Sequence, residues 1–98
     1  MGSNISWSKE SVKQIVSAIN YIRNDSDQNV DKIYDRIMLR LIKVASNPDM
    51  CPPDKYRRHN NGKYRAFTIY RYRVSYRIEE DGIRILRIRH SAMKAKFY

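Results

Sequence analysis

The spacing of apolar residues changes halfway along the 98-residue chain, and this change constrains the fold class. Up to about residue 46, apolar side chains recur at three- and four-residue steps, as they do along one face of an α-helix. After residue 62 they mostly alternate with polar side chains, as they do in a strand that has one buried face. The chain is therefore predicted to be an α+β protein whose helices precede and cover a sheet.

The first half of the chain predicts one strand and two helices. Residues 4–7 (NISW) read as a short strand, and Ser8 is placed to cap a helix that runs to about residue 24. Ser26 or Asp25 can cap a second helix, which ends before the first proline because the residue before a proline avoids helical geometry. Two helices joined by a short polar turn make an antiparallel hairpin, predicted over residues 8–46.

The second half predicts a mainly antiparallel sheet over residues 63–90. A turn near residues 70–72 divides the stretch YRAFTIYRYRVSYRI (64–78) into two strands, and the acidic turn EEDG (79–82) leads into IRILRIRH (83–90). The predicted order is β-α-α-β-β-β, followed by a tail over residues 91–98. A chain of this length can bury one modest core, so we expect residues 1–98 to form a single domain.

Several classes of protein are disfavoured. No run of about 18 apolar residues is present and no apolar segment follows the N-terminus, so we expect a cytoplasmic protein without a membrane span. Met1–Ser3 read as residues left by an expression vector. Cys51 is the only cysteine, and with His59 and His90 it offers too few ligands for a structural zinc site. We expect neither a metal nor an organic cofactor.

The positive charge is confined to the second half of the chain. Residues 1–54 contain seven Lys/Arg and seven Asp/Glu, whereas residues 55–98 contain thirteen Lys/Arg and three Asp/Glu. The formal net charge of +10 therefore belongs entirely to the predicted sheet and tail. Such a surface favours a polyanionic partner, because each phosphate that it neutralises releases counterions. Nucleic acid, the ribosome and an acidic protein are the candidate partners.

Arginines occupy the predicted strands at short intervals, and we expect them on the face of the sheet that the helices leave open. Any one of them could simply be a solvated side chain whose stem covers apolar surface. As a set they are harder to explain in this way, because no acidic residue falls between positions 54 and 79 and like charges that face each other across strands are destabilising. An anionic ligand would compensate. The four arginines are Arg65, Arg71, Arg73 and Arg77.

Several motifs together resemble one protein family. The stretches YRVSYRI (72–78), EEDG (79–82) and IRILRIRH (83–90), with INYI (19–22) and IMLRLIKVASNP (37–48) in the helices, are similar to the RelE/ParE superfamily of bacterial toxins from type II toxin-antitoxin systems. The resemblance covers about residues 5–98. It implies a small RelE/ParE-like domain and an acidic antitoxin that binds the basic surface or the helices in a toxin-antitoxin hetero-oligomer.

The resemblance implies two possible targets. RelE-like members enter the ribosomal A site and cleave messenger RNA, whereas ParE-like members inhibit DNA gyrase without nuclease activity. The helical hairpin with INYI is more similar to the ParE branch, and the C-terminal segment RHSAMKAKFY (89–98) is similar to the ribonuclease branch. We rank a ribosome-dependent, metal-independent mRNA endoribonuclease first, a gyrase inhibitor second and a degenerate, non-toxic binding module third.

RNA cleavage by the 2′-hydroxyl needs a base, cations around the phosphorane and a proton for the leaving oxygen. The strand arginine of the family matches Arg73, which can hold two phosphate oxygens at once, and Arg65 would assist it. His90 can act as acid or base, or merely bond to backbone. Tyr98 can act as base if arginines lower its pKa from about 10, can stack on a base, or can belong to a frayed terminus. No carboxylate within the arginine strands is an obvious general base.

The remaining basic residues are candidate phosphate contacts, and Arg87 and Arg89 are expected on opposite faces of their strand. We expect Trp7 and the tyrosines of the helices in the core or at its rim and not as platforms on which bases stack, and we expect His59 on a surface loop. The candidate nucleic-acid contacts are Lys63, Arg71, Arg77, Arg87, Arg89, Lys94 and Lys96.

Overall fold

The computed structural model describes residues 3–25, 30–94 and 96–98. The predicted α+β class and the order β-α-α-β-β-β are confirmed. A cap of the second helix by Ser26 or Asp25 lies outside the described side chains. No helix in the described ranges is long and apolar enough to cross a membrane. The elements are β1 (Asn4–Trp7), α1 (Lys9–Asp25), α2 (Val30–Ser46), a 3₁₀ turn (Pro48–Met50), β2 (Tyr64–Ile69), β3 (Tyr72–Glu79) and β4 (Gly82–His90).

The four strands form one mixed sheet in the order β1-β4-β3-β2. Two-residue turns join β2 to β3 and β3 to β4, so these pairs are antiparallel, whereas β1 lies parallel to β4. Gly82 begins β4 at φ +152°, directly against β1. A Cβ at this position would lie 1.9 Å from the carbonyl oxygen of Asn4, so the pairing of β1 with β4 requires glycine here.

The start of α1 is fixed against the edge of β4. The Ser8 hydroxyl accepts a hydrogen bond from the Ser11 N–H at 3.0 Å, which confirms the predicted N-cap. Beyond the end of β1, the Ser8 N–H and the buried Ser11 hydroxyl both donate to the Ile85 carbonyl. Further along, the Ile88 N–H donates to the side chain of Gln14. Side chains of α1 therefore satisfy the edge of β4 where a neighbouring strand would otherwise be needed.

The core lies between α2 and one face of the sheet. Leu41 and Val44 of α2 are fully buried against Tyr76 and Ile85 of the sheet. The Tyr76 hydroxyl donates to the Pro48 carbonyl at 2.5 Å, which satisfies a polar group inside the core. The opposite face of the sheet is covered by no described helix, and it carries the candidate residues Arg73, Arg77, Arg87 and Arg89.

Candidate functional site

Strand register shows which side chains share the open face of the sheet. Arg73 pairs with Thr68 on one side and with Arg89 on the other, and Ser75 pairs with Arg87. Residues that pair across strands point to the same face. Arg73, Arg87 and Arg89 therefore project together from the face opposite the helices.

The prediction that Arg87 and Arg89 lie on opposite faces was wrong. Positions two apart in a strand point the same way, and the register places both arginines on the open face. The alternation is interrupted earlier in β4, before Arg87. Ser75 pairs with Arg87 and Tyr76 pairs with Ile85, so Leu86 is an extra residue that forms a β-bulge. This bulge also brings Arg84 to the open face, opposite Arg77.

Arg65 does not lie with the other arginines, so its predicted placement was also wrong. It pairs with Tyr76 and points to the helix side of the sheet. Its guanidinium donates to the carbonyls of Gly62 at 3.0 Å and Cys51 at 2.7 Å. Odd-numbered residues point to the helix side in β2 but to the open face in β3, because the turn between the two strands reverses the alternation. For the same reason Phe67 faces the core. Arg65 fastens the loop that precedes β2 and does not line the open face.

A buried aspartate that the sequence reasoning missed lies against the open face, where the loop before β2 and Tyr98 cover part of that face. The side chain of Asp54 is 0% exposed, although the residue belongs to the loop before β2. Its carboxylate accepts hydrogen bonds from the Arg73 guanidinium at 2.8 Å, the Tyr98 hydroxyl at 2.6 Å and the Tyr56 N–H at 3.0 Å. Burial alone would raise the pKa of Asp54, but the hydrogen bonds from Tyr98, Arg73 and Tyr56 lower it. Asp54 is therefore an ionised partner for Arg73.

Tyr98 is held in place by this carboxylate and by the neighbouring loop. Its N–H donates to the Tyr56 carbonyl at 2.9 Å, and its own carbonyl accepts from the Arg58 N–H at 2.7 Å. The Arg87 guanidinium lies 3.9 Å from the centre of the Tyr98 ring. Burial and then the hydrogen bond to Asp54 raise the pKa of Tyr98 to about 12. Tyr98 is therefore docked against the loop and Asp54, and its pKa is raised where a catalytic base would need a lowered one.

His90 lies at the end of β4 between two aromatic rings. Its ring centre is 5.2 Å from that of Tyr72 and 6.1 Å from that of Tyr21. The Ala92 N–H donates to His90 Nδ1 at 3.0 Å. Because Nδ1 accepts this bond, the hydrogen of the neutral imidazole belongs on Nε2, which is then a donor. The expected backbone bond is present, and it leaves Nε2 available.

A depression of about 200 Å³, which we call the basic concavity, lies beside Arg73 and the end of β4. Arg87 donates to the Lys96 carbonyl at 2.6 Å and Arg89 to the Lys94 carbonyl at 3.0 Å. Arg73 and Arg89 are partly exposed and each guanidinium has five N–H groups, so donors remain there for the oxygens of a ligand, whereas Arg87 is only 8% exposed. This arrangement suits an oxyanion such as a phosphate. The residues that line the basic concavity include Lys55, Thr68, Arg73, Arg87, Arg89 and His90.

The structure leaves the other predicted contacts outside the basic concavity. Arg77 forms an ion pair with Glu79 at 2.9 Å, and Arg71 is exposed in the turn between β2 and β3. Lys63 is exposed before β2. Lys94 and Lys96 meet the arginines through their carbonyls, and both residues are exposed. His59 lies exposed in its loop, as predicted.

Comparison with known proteins agrees with this architecture. The chain matches the family described as "ParE toxin of type II toxin-antitoxin system, parDE" over residues 5–95. No curated protein sequence matches the chain. The family match covers nearly the whole chain and includes both helices and all four strands. The chain therefore belongs to the ParE toxin family of the RelE/ParE superfamily and is a type II toxin with an antitoxin as its partner.

Proposed function

We propose that this toxin is a ribosome-dependent mRNA endoribonuclease whose basic concavity holds the phosphate at the point of cleavage. The observation that carries the proposal is that one depression brings Arg73, Arg87 and Arg89 together, and His90, whose ring lies on the helix side beside Tyr72, borders it at the end of β4. Fixed cations around a phosphate stabilise the charge that accumulates when it becomes a phosphorane. The same depression therefore supplies charge stabilisation and a group that can transfer a proton.

The chemistry assigns a separate role to each group. The 2′-oxygen of the message attacks the adjacent phosphorus, loses its proton to solvent, and displaces the 5′-oxygen of the next nucleotide. The arginines bind the phosphorane oxygens. A protonated His90, whose Nδ1 then no longer accepts from the Ala92 N–H, gives its Nε2 proton to the departing 5′-oxygen and is reprotonated by solvent. Asp54 and Tyr98 act as positioning residues, since the first holds Arg73 at 2.8 Å and the second supports Arg87 at 3.9 Å.

Inhibition of DNA gyrase without cleavage is a second candidate function. It is favoured because both groups that the sequence suggested as a catalytic base, Tyr98 and His90, already make hydrogen bonds within the protein. The Tyr98 hydroxyl is bonded to Asp54, and His90 Nδ1 is occupied by the Ala92 N–H. A concavity with cations and no free base would bind a phosphate of gyrase-bound DNA and leave it intact.

In both candidates the antitoxin blocks the toxin by covering a functional surface. An acidic antitoxin would neutralise the arginines of the open face. The helical hairpin offers a second surface, because Val12 and Val16 of α1 and Tyr34 of α2 are 46%, 53% and 43% exposed. An antitoxin that spans both surfaces would combine charge pairing with burial of apolar area.

The test is to add the free toxin to a cell-free translation reaction and map cuts in the message by primer extension. Cuts at codon positions support the ribonuclease, and we expect His90→Ala to slow cleavage by about 10²–10⁴-fold, as loss of a proton donor does. His59→Ala is the matched control and should cut at the wild-type rate, because His59 lies in an exposed loop. An intact message combined with inhibited supercoiling by purified gyrase would replace the proposal with the second candidate.

A further inference from the structure

An aromatic side chain on α1 is exposed beside the candidate site. We expected the tyrosines of the helices in the core or at its rim, and for Tyr21 this was wrong, since it is 65% exposed. Its ring lies 6.1 Å from that of His90, with the two planes at 63°. An aromatic ring this exposed contributes little to the core, and its exposed surface is accessible to a ligand.

Tyr21 forms one wall of a pocket of about 560 Å³, which we call the aromatic pocket. Its other aromatic walls are His90 and Tyr72, whose rings lie 5.2 Å apart and nearly perpendicular, at 88°. Ala18 and Ile88 give the pocket an apolar base. Three aromatic rings around an apolar base favour a flat, unsaturated ligand, and the volume is in the range of small-molecule sites.

A few polar groups also line the aromatic pocket. Lys13 and Ser17 of α1 lie along its edge. Tyr72 is 8% exposed, and within residues 3–25, 30–94 and 96–98 its hydroxyl makes no hydrogen bond. Burial raises the pKa of Tyr72, so this hydroxyl keeps its proton and remains a donor. Donors and acceptors at the edge of an apolar pocket suit a heterocycle that has polar atoms on its rim.

The aromatic pocket adjoins the basic concavity. Arg89, His90 and Met93 line both depressions, so His90 stands between them. Neither depression has a carboxylate among its described lining residues. A ligand with an anionic part and a flat ring would place one in each, and a nucleotide has this form. Proteins that bind single-stranded RNA stack its bases on aromatic side chains in the same way.

We infer that the aromatic pocket is a nucleobase-binding site, which receives a base of single-stranded RNA next to the phosphate that lies in the basic concavity. The inference rests on the proposed function for the RNA that delivers the base, but binding at the pocket can be measured without cleavage. Stacking on Tyr21 then fixes the position of the message relative to His90.

The test compares two labelled ligands by fluorescence anisotropy at low salt. One is a five-nucleotide oligoadenylate, and the other is an abasic ribose-phosphate oligomer of equal length and charge. We expect the wild-type protein to bind the oligoadenylate at least about fivefold more tightly, since stacking one base on an aromatic side chain is typically worth at least this factor. Tyr21→Ala should remove the difference and leave the affinity for the abasic oligomer unchanged.

Two variants make this result specific. Tyr34→Ala is the matched control, because Tyr34 is an exposed helix tyrosine that lies outside the aromatic pocket, and it should keep the full preference. Lys55→Ala should weaken binding of both ligands by the same factor, because Lys55 lines the basic concavity and not the aromatic pocket. Since Tyr21 is mostly exposed, its replacement leaves the core intact.

Other results would overturn the inference. Equal affinity of the wild-type protein for both ligands would show that no base is recognised. If Tyr21→Ala lowered only the affinity for the antitoxin, the pocket would be a protein-binding surface. The inference and the proposed function fail separately. A base preference without cleavage of mRNA would refute only the ribonuclease, and wild-type cleavage by a protein without base preference would refute only the pocket.

Discussion

Replacement of Asp54 by alanine should destabilise the protein substantially. Asp54 is a fully buried carboxylate that accepts hydrogen bonds from Arg73, Tyr98 and the Tyr56 N–H. Removing it leaves Arg73 and the Tyr98 hydroxyl without their acceptor. The loss of one partner of a buried ion pair costs about 3–5 kcal/mol, because the other charge remains in a place where water solvates it poorly.

The structure indicates the lower end of this range. The side chain of Arg73 is 25% exposed, so water can solvate part of the unpaired charge. We therefore expect Asp54→Ala to lower the free energy of unfolding by about 3 kcal/mol, which corresponds to a fall of roughly 12–24 °C in Tm for a domain of this size. Asp49→Ala is the control in the same loop, and at its exposed position it should change stability by less than about 0.5 kcal/mol.

The measurement is urea unfolding followed by circular dichroism, repeated as the pH is lowered. The pKa of folded Asp54 lies below its ordinary value of 3.8, so its contribution is complete above that pH and is lost as the pH falls through the folded pKa. The difference between the wild-type protein and Asp54→Ala should therefore be constant above pH 5 and shrink towards pH 2. Equal stability of the two proteins at neutral pH would refute the role given to Asp54.

Two further predictions concern stability. Gly82→Ala should lower the free energy of unfolding in urea by more than about 2 kcal/mol, because its Cβ would lie 1.9 Å from the Asn4 oxygen. Gly62→Ala should lower it less, because nothing lies within 4 Å of a Cβ at that position. Equal losses would contradict the role given to the close contact between β1 and β4. Tyr98→Phe should cost about 1–2 kcal/mol, since a hydrogen bond to the Asp54 carboxylate is lost. The raised pKa of Tyr98 gives stability that is present below pH 10 and lost as the pH rises through about 12. Tyr98→Phe lacks this hydroxyl and should therefore lose less stability over the same interval in alkaline unfolding experiments. An identical pH profile would contradict the Tyr98–Asp54 bond.

The elements of the fold were predictable where local patterns decide them. The period of the apolar residues gave both helices and the alternation gave the strands, while the hydroxyl of Ser8 marked the start of α1. The place of Arg73 on the open face also followed from alternation within β3. These features depend on residues that are close together in the sequence.

The centre of the candidate site depends on contacts between distant residues, and here the sequence was insufficient. Asp54 is 19 positions from Arg73 and 44 from Tyr98, and nothing in the local pattern shows that the loop folds under the sheet. Arg65 was wrongly predicted on the open face, because the two-residue turn between β2 and β3 reverses which positions of the alternation point to that face. The only sequence signal for Asp54 was its position as the last acid before the arginine strands.

The central claim is that the basic concavity carries the toxicity of the protein. The most direct measurement is the growth of cells after induction of the toxin without an antitoxin, for the wild-type protein, Arg89→Ala and Arg71→Ala, with equal protein levels verified by immunoblot. Arg89 lines the basic concavity and Arg71 lies exposed in a turn outside it, so the two variants remove the same charge from different places. We expect the wild-type protein and Arg71→Ala to arrest growth and Arg89→Ala to leave growth unaffected. Arrest by Arg89→Ala as strong as that of the wild-type protein would contradict the claim.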